Sequence, residues 1–285
     1  MKSFVEYIAE SESGFREIPE DTQAQTKVIA EKYFKKAKDL SSSDLKTKAH
    51  SIKQDPIWKK YFKGKHATHY LKLGNISFID LQTNKKKRAE VLVIYGYVGE
   101  MYALYHEVNG RNIIFLFDHD CKELSVSELE DYIIHELVHG FQEYKETSPE
   151  YDAEVEKLTR GEEYDRNIYY TEPVELDAYL TQIGNATKKQ FNALKIDISN
   201  AVLPETKRVM ENRLEKFLLG LENFIISPMK SYFLYKELPI PTKALAKVQE
   251  FLETIDKNEK LKNHFKTKLS KLYNHLKTPK QDVKT

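Results

Sequence analysis

The chain has 285 residues, of which 40% are hydrophobic, so it can bury a substantial core in one large domain or two modest ones. Lys+Arg 45 against Asp+Glu 44 leaves a formal net charge of +1, which gives no general field to draw the chain to nucleic acid or to an anionic membrane. A single cysteine, Cys121, rules out an internal disulfide framework and suits a reducing compartment.

In chain order, "MKSFVEYIAESESGFREIPE" reads as a short helix with Phe4, Val5 and Ile8 on one side, followed by an acidic, flexible segment that ends Ile18-Pro19-Glu20. It lacks the apolar middle of a secretory signal, and no apolar run in the chain reaches the roughly 18 to 20 residues of a membrane span. Residues 22 to 63 read as helices, with Val28, Ile29, Tyr33 and Phe34 on one stripe and an aromatic helix in "DPIWKKYF". From about 68 to 117 the texture changes to strand: "HYLKLGNISFIDL", "AEVLVIYGYV", "MYALYHEV" and "RNIIFLF" are rich in β-branched and aromatic residues. "KKKR" (85 to 88) reads as a charged loop between strands, and Asn109-Gly110 as a type I′ hairpin turn. "FDHDC" (117 to 121) reads as a polar loop. Ser125 with Glu128 spells a capping box that opens a helix over 125 to 146. Further helices are expected near 172 to 192, 204 to 226, 242 to 255 and 257 to 277. The last is lysine-rich, with Leu261, Phe265, Leu269, Leu272 and Leu276 as its apolar stripe, and its charge reads as a solvated face. The expected division is 1 to 20 as a targeting or propeptide-like segment, 21 to 66 as a helical lead-in, 67 to 200 as the core, and 201 to 285 as a C-terminal helical region.

The chemistry concentrates in "IIHELVHGF", 133 to 141. On a helix, residues four apart stand one turn above each other, so His135 and His139 can reach one cation. Zinc takes imidazole nitrogen at about 2.0 to 2.1 Å, and a catalytic zinc site wants three protein ligands and an open position for water. Glu136 lies beside that face and suits a general base that later acts as acid. The flanking Ile133, Ile134, Leu137 and Val138 fit a helix buried beneath a site.

These residues resemble the HExxH zinc metallopeptidases, the zincins. The resemblance implies an α+β fold, zincin-like, in which a small mainly antiparallel sheet precedes the active-site helix and a later helix supplies the third ligand. The subgroup with a third histidine would need Gly at 142 and His at 145; Gln142 and Lys145 stand there, so the resemblance narrows to the gluzincins, with a glutamate as third ligand. "YYTEPVELDAYL" (169 to 180) offers Glu172 and Glu175, and Pro173 suits a first helical turn, which places Glu175 in the regular helix. E-x-x-A at Glu175 and Ala178 is similar to the third-ligand helix of several gluzincin families, whereas the thermolysin-like E-x-x-x-D is absent, since Leu176 and Tyr179 stand at the possible fourth positions. The expectation is a Zn2+ enzyme acting on a protein or peptide substrate, with His135, His139 and Glu175 as ligands and Glu136 activating water. Asp177 reads as a helix-surface residue or a support for a ligand histidine, and Tyr169, Tyr170 and Tyr179 as packing. Among the strands, "RNIIFLF" reads as the edge against which extended substrate would lie, as zincins bind it.

The first 20 residues resemble the capsid-targeting peptide of internal head proteins in large contractile-tailed phages, which begins Met-Lys-x-Phe/Tyr-x-Glu-Phe/Tyr-Ile and ends at a Leu/Ile-x-Glu cleavage point. That resemblance implies cleavage after Glu20, packaging in a phage head, and release into the host cytoplasm. The alternative to a peptidase is a packaged structural or host-interacting protein whose basic helices bind DNA or a host protein.

Overall fold

The computed structural model describes residues 18–63, 66–80, 85–97, 101–142, 147–160, 162–226 and 242–278. The chain is α+β and divides into two compact units, one over Ile18–Ala178 and one that takes in Tyr179–Thr285. Phe4, Val5 and Ile8 lie outside the described residues.

The first unit is built on a five-stranded mixed sheet of β1 (His50–Ser51), β2 (His69–Asp80), β3 (Lys85–Tyr95), β4 (Ala103–Val108) and β5 (Arg111–Phe117), in the order β1-β2-β3-β5-β4. Only β3 and β5 run parallel; the other three neighbours pair antiparallel. Asn109 (φ 51°) and Gly110 (φ 72°) both adopt the left-handed conformations that a type I′ turn requires, and they join β4 to β5 as a hairpin.

Alternation assigns the two faces. Ile76 pairs with Ala89, and Phe78 from the same face of β2 meets Phe141 with ring centroids 5.2 Å apart. This face is covered by α1 (Glu20–Lys36) and α5 (Val126–Phe141). Helix α1 is tied to β2 by Thr22 Oγ1 donating to the Ser77 carbonyl at 3.1 Å and by the Ser77 N–H donating to Gln25 Oε1 at 2.8 Å. Leu92, Ile94, Ile113, Phe115 and Phe117 face the other way, into an aromatic cluster with Trp58 from α3 (Pro56–Tyr61) and with Phe62. Helix α2 (Ser42–Lys48) and the helical turn α4 (Asp118–Cys121) lie in the connections.

Five local expectations are corrected. Val28 is 47% exposed, because the buried stripe of α1 is Thr22, Thr26, Ile29, Ala30 and Tyr33; small polar side chains that bond locally took positions the apolar pattern passed over. Lys85–Arg88 is strand, paired with Ser77–Asp80 and extending β3 by its solvated end. The two-residue β1 interrupts the helical lead-in. "FDHDC" forms α4, where Asp118 accepts from the Tyr33 hydroxyl at 2.8 Å and Asp120 from the Met101 N–H at 3.2 Å. "RNIIFLF" is not an edge: β5 is flanked by β3 and β4, and β4 is the edge.

Helix α5 opens with a complete capping box between Ser125 and Glu128. Leu129, Ile133, Ile134, Leu137, Val138 and Phe141 are buried on it, each contributing on the order of 1.5 to 3 kcal/mol. The close approach of helix to sheet is possible because Gly140 has no side chain: a Cβ there would sit 3.0 Å from the Tyr105 ring and 3.3 Å from Phe78. Two short helices, α6 (Pro149–Arg160) and α7 (Arg166–Thr171), lead to α8 (Pro173–Asn200), which starts with proline at the first helical position, as expected.

In the second unit, the later part of α8 is followed by α9 (Pro204–Ile226), α10 (Thr242–Lys257) and α11 (Glu259–Lys277). Phe265, Leu269 and Leu272 of α11 are buried, as the stripe implies, and Phe265 meets Phe224 and Phe251. Among the described residues, no helix is long and apolar enough to cross a membrane.

Candidate metal centre

His135 and His139 project from one face of α5, their ring centroids 5.1 Å apart. His135, Glu136 and His139 each offer a ligand atom within 4.8 Å of the others. Glu175, on the first turn of α8, joins them: its Oε2 lies 3.4 Å from His135 Nε2, and its Oε1 lies 3.6 Å from His139 Nε2. Two atoms that each sit about 2.0 to 2.1 Å from a tetrahedral ion are about 3.3 to 3.4 Å apart; the His135 separation has that spacing, and the His139 separation, to the other carboxylate oxygen, is slightly longer.

The two glutamates are set for different roles. Glu136 Oε2 accepts the Tyr105 backbone N–H at 2.6 Å, which fixes this carboxylate between the histidines and edge strand β4. Glu175 Oε2 is buried and accepts no hydrogen bond. An orphaned carboxylate oxygen in an apolar setting is costly unless a cation or donor reaches it. The donor set of two imidazole nitrogens and one carboxylate oxygen is also one that zinc takes. The residues present therefore fit a zinc ion.

Glu175 is further held by the Tyr151 hydroxyl, which donates to Oε1 at 2.6 Å. Burial opposes ionisation of Glu175, but the nearby His139 ring, then the His135 ring, and the Tyr151 hydrogen bond outweigh it and lower the carboxyl to about 2. Burial, then the negative charge of Glu175, pushes the Tyr151 phenol well above its ordinary range, so it remains a donor. Tyr169 stacks on Tyr151 with centroids 5.6 Å apart and is raised by the same two causes. The side chain of His139 is 17% exposed, against 7% for His135 and 3% for Glu175, so His139 is the most accessible of the three.

Glu172, the other candidate third ligand, is turned elsewhere: it accepts from the Ser148 N–H at 3.3 Å and the Ser148 hydroxyl at 3.1 Å. Ser148 in turn accepts the Tyr151 N–H at 3.2 Å, so Glu172 fastens the start of α6 to the start of α8. Asp177 is buried at 2% exposure, not a surface residue as its polarity suggested. Ala178 is fully buried. Tyr170 is buried with its hydroxyl 3.2 Å from that of Tyr164, and Tyr179 stacks on Phe251 in the helical unit; both pack, as expected. Sequence reasoning missed Tyr151, Gln142 and the Tyr105 N–H, three groups that bond directly to site residues. Comparisons with protein-family models, curated proteins and solved structures find no match for the chain.

Proposed function

We propose that the protein is a zinc-dependent metallopeptidase of the HExxH, gluzincin-like kind, which hydrolyses peptide bonds of a protein substrate. The observation that carries this reading is the division of labour at one point. His135, His139 and Glu175 converge with cation-ligand spacing, while Glu136 is held beside them against the edge of the sheet.

A zinc ion held by His135 Nε2, His139 Nε2 and Glu175 would supply Lewis-acid polarisation of the scissile carbonyl and acidify a water. Glu136 takes the proton from the attacking water on its carboxylate and delivers it to the amide nitrogen as that bond breaks. Among the described residues β4 is the terminal strand of the sheet, and an extended peptide added along it would run past Glu136. Tyr151 keeps Glu175 oriented through Oε1, leaving Oε2 for the metal.

Zinc content and peptidase activity of the wild type, Glu136→Gln and Glu175→Ala test the reading. One zinc per chain is expected in the wild type, retention of zinc with loss of activity in Glu136→Gln, and weakened zinc in Glu175→Ala. No zinc uptake by the wild-type chain after refolding with metal overturns the proposal. DNA binding with a steep salt slope that survives both substitutions would instead favour the packaged binding protein. The proposal of packaging in a phage head, with later action in the host cytoplasm, rests on the resemblance of residues 1 to 20 to a capsid-targeting peptide. A mature chain from particles whose mass corresponds to a start at Asp21 tests it.

A further inference from the structure

We propose that Gln142 is a positioning residue that clamps His139 to the third-ligand helix and so sets the spacing of the metal ligands; this rests on the zinc reading above. Gln142 caps the C-terminus of α5 with its backbone N–H on the Val138 carbonyl, and its side chain is buried at 7% exposure. One end of its amide donates to the Val174 carbonyl at 2.6 Å, and the other lies 3.1 Å from His139 Nδ1.

The chemistry of these partners fixes the orientation. A backbone carbonyl only accepts, so the end that meets Val174 must be the NH2 group. The end that meets His139 is then the amide oxygen, which also only accepts, so Nδ1 must carry a proton. With the proton fixed on Nδ1, Nε2 is the nitrogen left for a cation, and it faces Glu175 Oε1, 3.6 Å away. Val174 immediately precedes Glu175, so the same amide that fixes the tautomer of one ligand holds the backbone of another. The two ligands are 36 residues apart in sequence, and this side chain is their direct mechanical link.

The test uses Gln142→Leu and Gln142→Glu in the full chain. Zinc affinity of the apoprotein is measured by competition with a chelating indicator, and ligand geometry by the visible spectrum of the cobalt-substituted protein. Leucine removes both ends of the clamp. Glutamate keeps an acceptor for His139 Nδ1 but has no donor for Val174. Both variants are expected to weaken zinc by about 10- to 100-fold and to alter the cobalt spectrum. A structural role alone would lower the Tm of the apoprotein and leave the zinc Kd of the folded fraction unchanged, which overturns the inference. Wild-type affinity in Gln142→Glu with loss in Gln142→Leu overturns the link to Val174. A wild-type chain that takes up no zinc overturns both proposals, whereas one zinc in the wild type with both variants unaffected overturns this one alone.

Discussion

Tyr151 and Glu90 show how single side chains answer for charge in this protein. The Tyr151 hydroxyl is the hydrogen-bond donor to Glu175 Oε1, in a setting that removes Glu175 from water. Tyr151→Phe is expected to lower apoprotein stability by about 1.5 to 3 kcal/mol, as for a lost hydrogen bond to a charged group, with zinc affinity reduced alongside; an unchanged denaturation midpoint would contradict this. Glu90 lies on the sheet between Arg111 at 2.9 Å and Lys72 at 2.8 Å, and the Arg111 hydrogen bond, against some desolvation and with help from Lys72, lowers its carboxyl below the usual value. A lowered folded pKa gives stability that is present above the unfolded value and is lost as pH falls through the folded one. Glu90→Gln should therefore cost up to about 1 kcal/mol at pH 7 and progressively less below pH 4.5. Denaturation of both proteins at pH 7 and pH 3 measures that difference. At this scale His135, Glu136 and His139 stand out in the sequence as candidates because a helix repeats locally, and Glu175 stands out with Glu172 beside Pro173. The sequence concealed Gln142 and Tyr151, because their partners Val174 and Glu175 are 32 and 24 residues away and no local period records such a pairing.

Among the elements, the hairpin and helix α5 were the most legible, since Asn109-Gly110 and the Ser125/Glu128 box each act within four residues. Gly110→Ala should cost about 1 kcal/mol, because its φ of 72° is disfavoured for a side chain even where space is open; urea denaturation checks it. Strand order was not legible in the same way, yet a signal for it was present. In "IIFLF" every residue is buried, as on a strand covered on both faces and both sides, whereas "ALYHEV" mixes buried, half-buried and exposed positions. That contrast marks β4, not β5, as the edge. The edge also matters for the site, because the Tyr105 ring packs on Gly140 while its N–H holds Glu136.

For the molecule as a whole, all candidate ligands fall within the unit that ends at Ala178, even though α8 continues to Asn200. Zinc at 100 times its Kd is expected to stabilise the native state by about 2.7 kcal/mol, and hydrogen exchange should slow chiefly in α5, α6 and the start of α8. Added zinc that leaves both Tm and exchange unchanged would refute that expectation. The α+β class followed from the change of period near residues 68 and 117. The division at residue 178 did not, because a continuous helix carries the chain across it.

Ile18 is buried at 3% exposure, its carbonyl accepts the Gln23 side chain at 2.7 Å, and the Pro19 carbonyl accepts the first backbone hydrogen bond of α1. The bond after Glu20 therefore lies inside a folded helix, where a protease cannot engage an extended strand. If residues 1 to 20 are removed, the clock for removal is the opening of this turn. A nascent chain would be cut at once, and a folded one only as often as α1 frays. Maturation would then become a race between folding and cleavage, with the winner deciding whether Ile18 stays in the core.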